Sequence, residues 1–435
     1  MARKTPFGQQ MREKHFGFAP SYTPLNHGSF GASPLIVQQK QRELQKLETE
    51  RPDSFIVYDL PDLIEESRRA VAPFLGVPAE EVVFVPNATT GINTVLRNLE
   101  YKEKDVIVHF STIYDSCEMT IASIAEMAPL TASSVLVEYP IEDDMIVKRF
   151  RYRVLELIDE GFNVKIALFD TTLTFPGVRV PWEDLVKVCK EFGVLSLIDG
   201  AHGIGDIDLT HVGAVGPDFF VSNCHKWLYN PRGCAVFHVP LRNQPLIRTT
   251  IPTSYRFQPK KENEAAEQPP KSHFIELFDF VATMDHSPYC CVPAAIDFRK
   301  SICGGEEAIR RYTWGLARLG GKSVSQILGT EVMANSTGSL TKCSFTTVGL
   351  PIALKAEGEA VGKGCYSVKD ALKIKAWLNK TALKEFDTYL QVGLHAGTLW
   401  VRLSGQIYLE SKDFDWVGYK LKELCLRLEG GKVEL

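Results

Sequence analysis

The sequence has little that marks a protein of membranes, nucleic acids or the secretory route. It contains 49 Lys and Arg residues against 53 Asp and Glu residues, so it lacks the basic surplus that a nucleic-acid binder normally carries. No apolar run reaches the roughly 18 residues that a membrane-spanning helix needs. The amino terminus, MARKTPFGQQMREKHF, is polar and of mixed charge, so we expect no secretion signal there.

The ten cysteines are scattered, and no two of them are spaced as CxxC. This spacing argues against a metal site and against a disulfide framework, and it favours reduced thiols in a cytoplasmic protein. Of the 435 residues, 45% are hydrophobic and 23% are charged, a balance typical of a globular protein large enough for two domains. These features leave an enzyme-sized cytoplasmic protein with no nucleic-acid or membrane partner expected.

Short β-rich runs alternate with longer amphipathic segments between about residues 80 and 240. The predicted strands are VVFVP (82–86), DVIVHF (105–110), SSVLVEYP (133–140), VKIALFD (164–170), VLSLIDG (194–200), DFFVSNC (218–224) and CAVFHVP (234–240). The intervening helices are predicted to include residues 89–98 and WEDLVKVCKEFG (182–193). Apolar runs of this length, separated by helices, are typical of an α/β fold with a mainly parallel sheet covered on both faces.

The pattern changes after about residue 290, where helical segments mix with strand-like runs. A helix is predicted over 305–328, strands over 343–350 and 398–405, and a final helix over about 413–428. We therefore predict an N-terminal arm at the substrate entrance (residues 1–40), a large domain (41–285) and a smaller C-terminal α+β domain (286–435).

Two charged residues follow successive apolar strands. Asp199 ends the run VLSLID, and Lys226 follows the run FFVSNCH, 27 residues later. The carboxyl ends of parallel strands converge on one ligand-binding crevice, where a partly buried charge needs a partner. A pyridinium aldehyde would supply both partners, because its ring nitrogen would pair with Asp199 and its aldehyde would form a Schiff base with Lys226. The desolvated lysine, with a lowered pKa, could then move a substrate Cα proton.

Two further segments each allow two interpretations. The stretch NATTGIN (87–93) joins a predicted strand to a helix, so it could bind a phosphate at the helix N-terminus or form a plain N-cap. Arg402 lies in the apolar strand LWVRLSG, where it could grip a substrate carboxylate with two hydrogen bonds or extend to solvent from a strand edge. These residues alone leave both choices open.

Together these motifs resemble fold-type I pyridoxal-phosphate (PLP) enzymes of the aminotransferase class V group. Within that group they resemble isopenicillin-N-epimerase-like proteins, including the C–S lyases of fungal ergothioneine biosynthesis. The resemblance covers nearly the whole chain and rests on LNHGSFG (25–31), VVFVPNATTGINTVLRNL (82–99), IYDSC (113–117), PGVRVPWEDLVKVCKE (176–191), SNCHKWLYNPRGCAVFHVPLRNQ (222–244), TIPTSY (250–255), TMDHSPYCCVPAAI (283–296) and VRLSGQIYLE (401–410). It implies that the cofactor is pyridoxal 5'-phosphate, bound by the large domain, and that the protein is a homodimer with shared active sites.

The resemblance also implies a role for each matched residue. Lys226 would form the Schiff base, Asp199 would pair with the ring nitrogen, and His202 and Thr174 would lie near the phenolic oxygen. The residues implied at the cofactor phosphate are Ala88, Thr89, Thr90, Ser222 and His225, with Thr250 or Thr283 reaching it from the other subunit. On the substrate side, the implied residues are Tyr114 as the acid for the departing sulfur, Arg402 for the carboxylate, and Asn26 and His27 at the entrance.

The implied reaction is a β-elimination that cleaves the C–S bond of a cysteine-conjugate sulfoxide such as hercynylcysteine sulfoxide. A cysteine desulfurase is disfavoured, because the stretch EFDTYLQVGLHAGTLWV before Arg402 has no cysteine. Asp115, Glu118 and His202 depart from the lyase pattern, which keeps open a C–C bond-forming or cyclising enzyme of loline-type alkaloid biosynthesis, or an epimerase. A binding protein that has lost catalysis is disfavoured by the intact Asp199 and Lys226.

Overall fold

A computed structural model describes residues 5–259, 272–355 and 364–431 of the chain. Seven strands form one large sheet in the spatial order β1-β7-β6-β5-β4-β2-β3, and among these seven only β7 runs antiparallel to its neighbours. These strands are β1 (Val82–Val85), β2 (Asp105–Phe110), β3 (Leu130–Val135), β4 (Asn163–Asp170), β5 (Leu195–Asp199), β6 (Phe219–Asn223) and β7 (Ala235–His238).

A smaller antiparallel sheet, ordered β11-β12-β8, lies in the C-terminal part of the chain, beside a parallel pair of β9 and β10. These strands are β8 (Phe345–Gly349), β9 (Ala353–Lys355), β10 (Cys365–Ser367), β11 (Gln391–His395) and β12 (Thr398–Ser404). The α/β prediction with a mainly parallel sheet and a smaller C-terminal α+β part is confirmed. The boundaries at residues 40 and 285 remain predictions.

Helices connect the strands of the large sheet and pack on it, with α6 against β1, β5, β6 and β7, and α9 against β4 and β5. The α-helices are α1 (Gln9–His15), α2 (His27–Phe30), α3 (Leu35–Glu50), α4 (Pro52–Ser54), α5 (Leu60–Leu75), α6 (Ala88–Asn98), α7 (Asp115–Ala125), α8 (Asp143–Asp159), α9 (Trp182–Phe192), α10 (Val212–Val215), α11 (Cys224–Trp227), α12 (His273–Asp279), α13 (Ser287–Cys290), α14 (Val292–Asp297), α15 (Glu306–Leu328), α16 (Ala371–Phe386) and α17 (Ser411–Glu429). Short π-helical turns cover Phe55–Asp59 and Phe298–Ile302, and 3-10 turns cover Ala79–Glu81, Leu241–Leu246, Ser339–Thr341 and Val368–Asp370. Within the described ranges, none of these helices has the length and apolar character needed to cross a membrane.

Six of the seven strands predicted between residues 80 and 240 match the observed strands within two residues at each end. The third prediction, 133–140, was wrong in its position, because the strand ends at Val135. Beyond that point the backbone bonds to side chains instead of to a strand: the Val137 N–H donates to Ser111 Oγ (3.1 Å) and the Tyr139 N–H donates to His395 Nε2 (2.7 Å). Apolar composition alone could not distinguish this edge segment from a strand.

The strand order brings four carboxyl ends to one edge of the large sheet. Asp170 ends β4, Asp199 ends β5, and the two are register partners on neighbouring parallel strands. Asn223 ends β6 next to them, and α11 begins at once. β1 runs parallel to these strands, and its carboxyl end leads into α6. All four ends therefore open on the same edge of the sheet, where ligands bind in α/β folds.

A buried carboxyl group links the two sheets. Asp206 follows β5, and its Oδ1 accepts hydrogen bonds from the Ser344 N–H (3.0 Å) and from Trp314 Nε1 (3.3 Å), which belong to the C-terminal part of the chain. Its Oδ2 is buried with no hydrogen-bond partner among the described residues. Burial raises the pKa of Asp206 from its ordinary value of 3.8 to about 6.

This pKa predicts a pH dependence of stability. Between pH 3.8 and about 6 the folded state holds a proton on Asp206 that the unfolded state has lost, so the Asp206 contribution to stability falls as pH rises. Relative to an Asp206→Asn variant, the wild-type free energy of unfolding should fall by up to about 3 kcal/mol over that range. Urea denaturation at several pH values measures this difference. Asp208→Asn, at an exposed neighbour, is the control, and a difference that stays flat or rises with pH would contradict the assignment.

Candidate active site

Lys226 lies in α11, immediately after β6, and its amine faces the carboxyl edge of the sheet. Its Nζ is 3.2 Å from His202 Nε2, and in the described ranges no carboxylate lies within ion-pair distance of it. Burial lowers the pKa of Lys226 to about 8, although the charge of Asp199 acts in the opposite direction. An amine with this pKa is partly uncharged near neutral pH, as a nucleophile or a base requires.

Asp199 and Asp170 form a buried pair of carboxyl groups beside this lysine. Asp199 Oδ1 accepts the Ala201 N–H (2.9 Å), and Asp199 Oδ2 accepts the thiol of Cys117 (3.6 Å). Burial raises the pKa of both carboxyl groups, and the charge of Asp199 raises that of Asp170 further. We infer that Asp170 holds a proton and Asp199 carries the negative charge, because Asp199 has the two hydrogen-bond donors.

His202 joins three site residues through its two ring nitrogens. Trp227 Nε1 donates to His202 Nδ1 (3.2 Å), while Thr174 Oγ1 lies 3.1 Å and Lys226 Nζ 3.2 Å from His202 Nε2. The ring is fully buried, and burial, followed by the charge of Lys226, lowers its pKa well below the ordinary value. The structure therefore brings Thr174, His202 and Lys226 together, while the cofactor roles that the resemblance implies for them remain predictions.

The N-terminus of α6 is capped, so the N-cap interpretation holds for Asn87. Its Oδ1 accepts hydrogen bonds from the N–H (2.9 Å) and the hydroxyl (3.1 Å) of Thr90. The Ala88 N–H donates to Asn223 Oδ1 (2.9 Å). The N–H and hydroxyl of Thr89 make no hydrogen bond among the described residues, so Thr89 is the residue of this terminus best placed to receive a phosphate.

Ser222 and Asn223 are neighbours in β6, and their side chains point to opposite faces of the sheet. Asn223 reaches α6, whereas the Ser222 hydroxyl donates to the Gly200 carbonyl and accepts the Ile204 N–H (2.9 Å). Ser222 is fully buried and braces the turn that carries His202. The structure does not bring Ser222 to the N-terminus of α6, and Asn223 occupies that place.

His225 precedes Lys226 and has one ring nitrogen committed to the fold. Its Nδ1 donates to the Cys234 carbonyl (3.0 Å). Burial lowers its pKa to about 4, so the free imidazole is neutral and Nε2 has no proton to donate. A phosphate near Nε2 would favour the charged ring and raise that pKa.

Arg402 is a buried cation without a partner of opposite charge in the described chain. Nη1 donates to the Thr174 carbonyl, Nη2 donates to Asn26 Oδ1 (3.0 Å) and Ser29 Oγ (2.8 Å), and Nε has no partner. The side chain is 1% exposed and lies over the ring of Phe345 (4.3 Å to its centre), so the solvent-reaching alternative is wrong. Burial lowers its pKa to about 9. An anion beside this guanidinium would relieve the cost of burying it.

The two predicted entrance residues differ in their surroundings. Asn26 contacts Arg402, which places it beside the predicted carboxylate site. His27 is 3% exposed, its Nε2 donates to the Lys226 carbonyl (2.7 Å) and its Nδ1 accepts the Tyr408 hydroxyl (2.7 Å). Burial lowers the pKa of His27 to about 3, so it is neutral. The structure thus makes His27 a brace for the lysine backbone and not a residue of the entrance.

The remaining predicted residues lie at the surface or in a loop. Tyr114, the N-cap residue of α7, is 40% exposed, and the side chains of Asp115 and Glu118 next to it are also exposed. Thr283 is exposed. Thr250 is buried, and its hydroxyl donates to the Pro252 carbonyl (2.7 Å) and accepts the Ser254 N–H (2.8 Å). Of the two threonines, only Thr283 is exposed, so the predicted contact with another subunit would fall to Thr283.

Besides Asn223, sequence reasoning missed four residues that touch the site: Asp170, Cys117, Ser29 and Trp227. Asp170 could have been found, because it ends the apolar run VKIALFD just as Asp199 ends VLSLID. The other three carry no signal in the sequence. Their contacts exist only because α7, α2 and α11 come together at this edge of the sheet.

The chain is similar to known proteins over nearly its whole length. The sequence model of the aminotransferase class-V family matches residues 49–273. The L-cysteine desulfhydrase-like protein lolT1 of Epichloe uncinata is 36% identical over 98% of this chain and 97% of its own length. The hercynylcysteine sulfoxide lyase of Schizosaccharomyces pombe is 30% identical over 98% of this chain and all of its own length.

Among solved structures, the complex of the cystine C–S lyase C-DES with cysteine persulfide superposes with a TM-score of 0.72. It is 17% identical and covers 93% of this chain and 97% of its own. At this identity the superposition shows a shared fold.

The residues at the edge of the sheet fit the predicted pyridinium aldehyde. Asp199 is a buried carboxylate whose hydrogen bonds come from a neutral N–H and a thiol, so a ring N–H would supply the missing positive partner. Among the described residues, the amine of Lys226 has its one hydrogen-bond contact with a neutral imidazole, so it is available to an aldehyde. The orphan Nε of Arg402 leaves a donor for a substrate carboxylate.

The pKa of Lys226 predicts selective labelling. Treatment of cofactor-free protein with a small aldehyde and cyanoborohydride should alkylate Lys226 with a pH midpoint of about 8, because only the uncharged amine attacks the aldehyde. The exposed Lys148, whose pKa the neighbouring Asp144 raises, should react only at higher pH. Peptide mass spectrometry across a pH series measures both lysines, and equal midpoints would contradict the assignment.

Proposed function

Since this chain belongs to the aminotransferase class-V family and is a PLP-dependent enzyme of the C–S lyase type, we propose that it removes the sulfur group from a cysteine conjugate. The substrate best supported is a cysteine-conjugate sulfoxide such as hercynylcysteine sulfoxide. The observation that carries the proposal is the position of Thr174. Its carbonyl accepts the guanidinium of Arg402, and its hydroxyl contacts the ring that touches Lys226. A carboxylate held by Arg402 would therefore place the neighbouring Cα within reach of the amine.

The roles proposed at the cofactor are those that the resemblance implies, and the contacts of the site support them. Lys226 would hold the aldehyde, Asp199 the ring nitrogen, and Thr174 with His202 the phenolic oxygen. Thr89 and His225 would hold the phosphate, supported by the unbonded donors of Thr89 at the N-terminus of α6. When bound, PLP supplies an electron sink for the electron pair left at the substrate Cα after proton removal.

The chain's own residues would perform the remaining steps. Arg402 binds the α-carboxylate, with Asn26 holding the guanidinium in place. Lys226, partly uncharged near neutral pH, removes the Cα proton. The Cβ–S bond breaks with its electron pair on sulfur, and the exposed Tyr114 at the start of α7 would protonate that sulfur. Water converts the released three-carbon product into pyruvate and ammonia.

We also propose a cytoplasmic homodimer with shared active sites. The support is the exposed Thr283, in the segment expected to reach the other subunit, and exposed apolar side chains near the N-terminal arm: Phe30, Leu35, Ile36, Val57 and Tyr58. All ten cysteines are free thiols, as a reducing compartment would maintain.

A second candidate is a C–C bond-forming or cyclising enzyme of loline-type alkaloid assembly. Two observations favour it: the 36% identity to lolT1, and the exposed carboxylates of Asp115 and Glu118 beside Tyr114, which would attract a cationic partner. An epimerase would use the same lysine and return the proton to the opposite face of Cα. If a substrate labelled with deuterium at Cα loses the label without forming pyruvate, the result would favour these two alternatives over the lyase. A product with a new C–C bond would then identify the C–C bond-forming enzyme.

The lyase proposal predicts pyruvate from a sulfoxide substrate. A panel of L-cysteine, S-substituted cysteines and hercynylcysteine sulfoxide should give pyruvate, fastest from the sulfoxide, in an assay coupled to lactate dehydrogenase. Lys226→Ala should lower the rate by at least ~10²-fold, because the Cα proton then has no positioned base. Lys148→Ala, at an exposed lysine, is the matched control. Absence of pyruvate from every substrate at any concentration would exclude the lyase.

Arg402 predicts a defect specific to the substrate carboxylate. Arg402→Gln should raise KM by about 10- to 100-fold, the equivalent of ~1.4–3 kcal/mol of charged hydrogen bonding. A substrate analogue in which an amide replaces the α-carboxylate should bind poorly to the wild type. It should lose little further affinity in Arg402→Gln. Steady-state kinetics with both compounds measure this. If Arg402→Gln lowers the affinity for the acid and for the amide equally, Arg402 does not bind the substrate carboxylate.

A further inference from the structure

The α11 turn that carries Lys226 also carries the indole of Trp227, which contacts the buried ring of His202. His202 Nδ1 receives the indole N–H of Trp227, the residue that follows Lys226, at 3.2 Å. His202 Nε2 lies at the point where Thr174 Oγ1 and Lys226 Nζ converge, at 3.1 and 3.2 Å. Both rings are buried, with His202 at 0% and Trp227 at 2% exposure.

An indole nitrogen can donate a hydrogen bond and cannot accept one. The contact at 3.2 Å therefore requires that His202 Nδ1 carries no proton, because two N–H groups cannot face each other at that distance. A neutral imidazole has one proton, so it must lie on Nε2. Full burial of the ring beside the cations Lys226 and Arg402 opposes a second proton.

The surrounding residues hold the Trp227 indole in the position that requires the Nε2–H tautomer of His202. The Trp227 carbonyl accepts Arg299 Nη1 (2.6 Å), and Arg299 is itself fully buried. The ring of Phe345 packs edge-on against both Trp227 (5.2 Å between centres) and His202 (5.1 Å). A Cβ at Gly28 would lie 2.2 Å from Phe345 and 3.1 Å from Trp227, so there is little room for the indole to turn.

We propose that Trp227 is a positioning residue that fixes His202 in the Nε2–H tautomer, so that the ring presents an N–H donor where Thr174 and Lys226 meet. A charged ammonium cannot accept that hydrogen bond, whereas an uncharged amine can. In the cofactor-free protein the tautomer therefore favours the uncharged form of Lys226. When PLP is bound, the same N–H would be the donor available to its phenolic oxygen, and this part of the inference rests on the proposed function.

The tautomer can be measured without cofactor or activity. In apoprotein labelled with ¹⁵N-histidine, two-bond and three-bond ¹H–¹⁵N correlations distinguish the Nε2–H from the Nδ1–H form, and the signal lost in His202→Gln identifies residue 202. The wild type should show Nε2–H, and Trp227→Phe should show a mixture. Trp182→Phe is the matched control, because Trp182 is another buried tryptophan whose Nε1 has no hydrogen-bond partner among the described residues. An Nδ1–H signal in the wild type, or no change in Trp227→Phe, would overturn the proposal.

The visible absorbance of the PLP-bound protein tests whether Trp227 acts on the active site through His202. The comparison uses Trp227→Phe in the wild-type and His202→Gln backgrounds, and it remains informative if Trp227→Phe folds poorly in the apo form. The midpoint of the pH-dependent visible absorbance of the PLP-bound protein should move by about 0.7 pH unit in Trp227→Phe, a roughly fivefold change in acid dissociation constant, as expected for one hydrogen bond. In a His202→Gln background the same change should have little effect, because a glutamine amide has N–H donors in any case. Equal shifts in both backgrounds would overturn the proposal. Absence of any visible absorbance in the wild type would instead refute the proposed function, and the tautomer measurement would still decide the role of Trp227.

Discussion

Three buried ionisable groups that form no ion pair within the described chain come together at the carboxyl edge of the large sheet. β5 supplies the carboxylate of Asp199, α11 the amine of Lys226 and β12 the guanidinium of Arg402, and in the described chain no two of these lie within 4 Å of each other. Burying a charged group without a partner of opposite charge lowers the stability of the folded protein. A ligand that carries the complementary charges therefore gains affinity from the fold and stabilises it in return.

The fold holds this arrangement by fixing the lysine-bearing turn through its backbone. His27 donates to the Lys226 carbonyl (2.7 Å) and Arg299 to the next carbonyl, that of Trp227 (2.6 Å), and both side chains are buried. Gly31, with φ +66°, passes so close that a Cβ there would lie 1.8 Å from the His225 carbonyl oxygen. Similarly, a Cβ at Gly177 would lie 2.7 Å from the Arg402 side chain. These contacts place the reactive amine with little freedom, as catalysis by proximity requires.

The sequence was sufficient where one short-range rule decides the structure. Apolar runs located six of the seven strands of the large sheet, and the charged residues that follow two of these runs marked Asp199 and Lys226. The sequence was not sufficient where the structure depends on which face of a strand a side chain points to, or on contacts between residues far apart in the chain. Ser222 and Asn223 are adjacent and both polar, and only the register of β6 sends one to α6 and the other to the Gly200 turn. His27 precedes Lys226 by 199 residues, so nothing local shows that it contacts the lysine backbone.

The most direct test of this account is to locate the covalent attachment of the cofactor. Protein purified with PLP is reduced with borohydride, digested and mapped by mass spectrometry, which identifies the lysine that carries the cofactor. The account predicts one pyridoxyl group per chain, on Lys226, and none in Lys226→Ala. Attachment to a different lysine, or no attachment in protein that binds PLP, would contradict it.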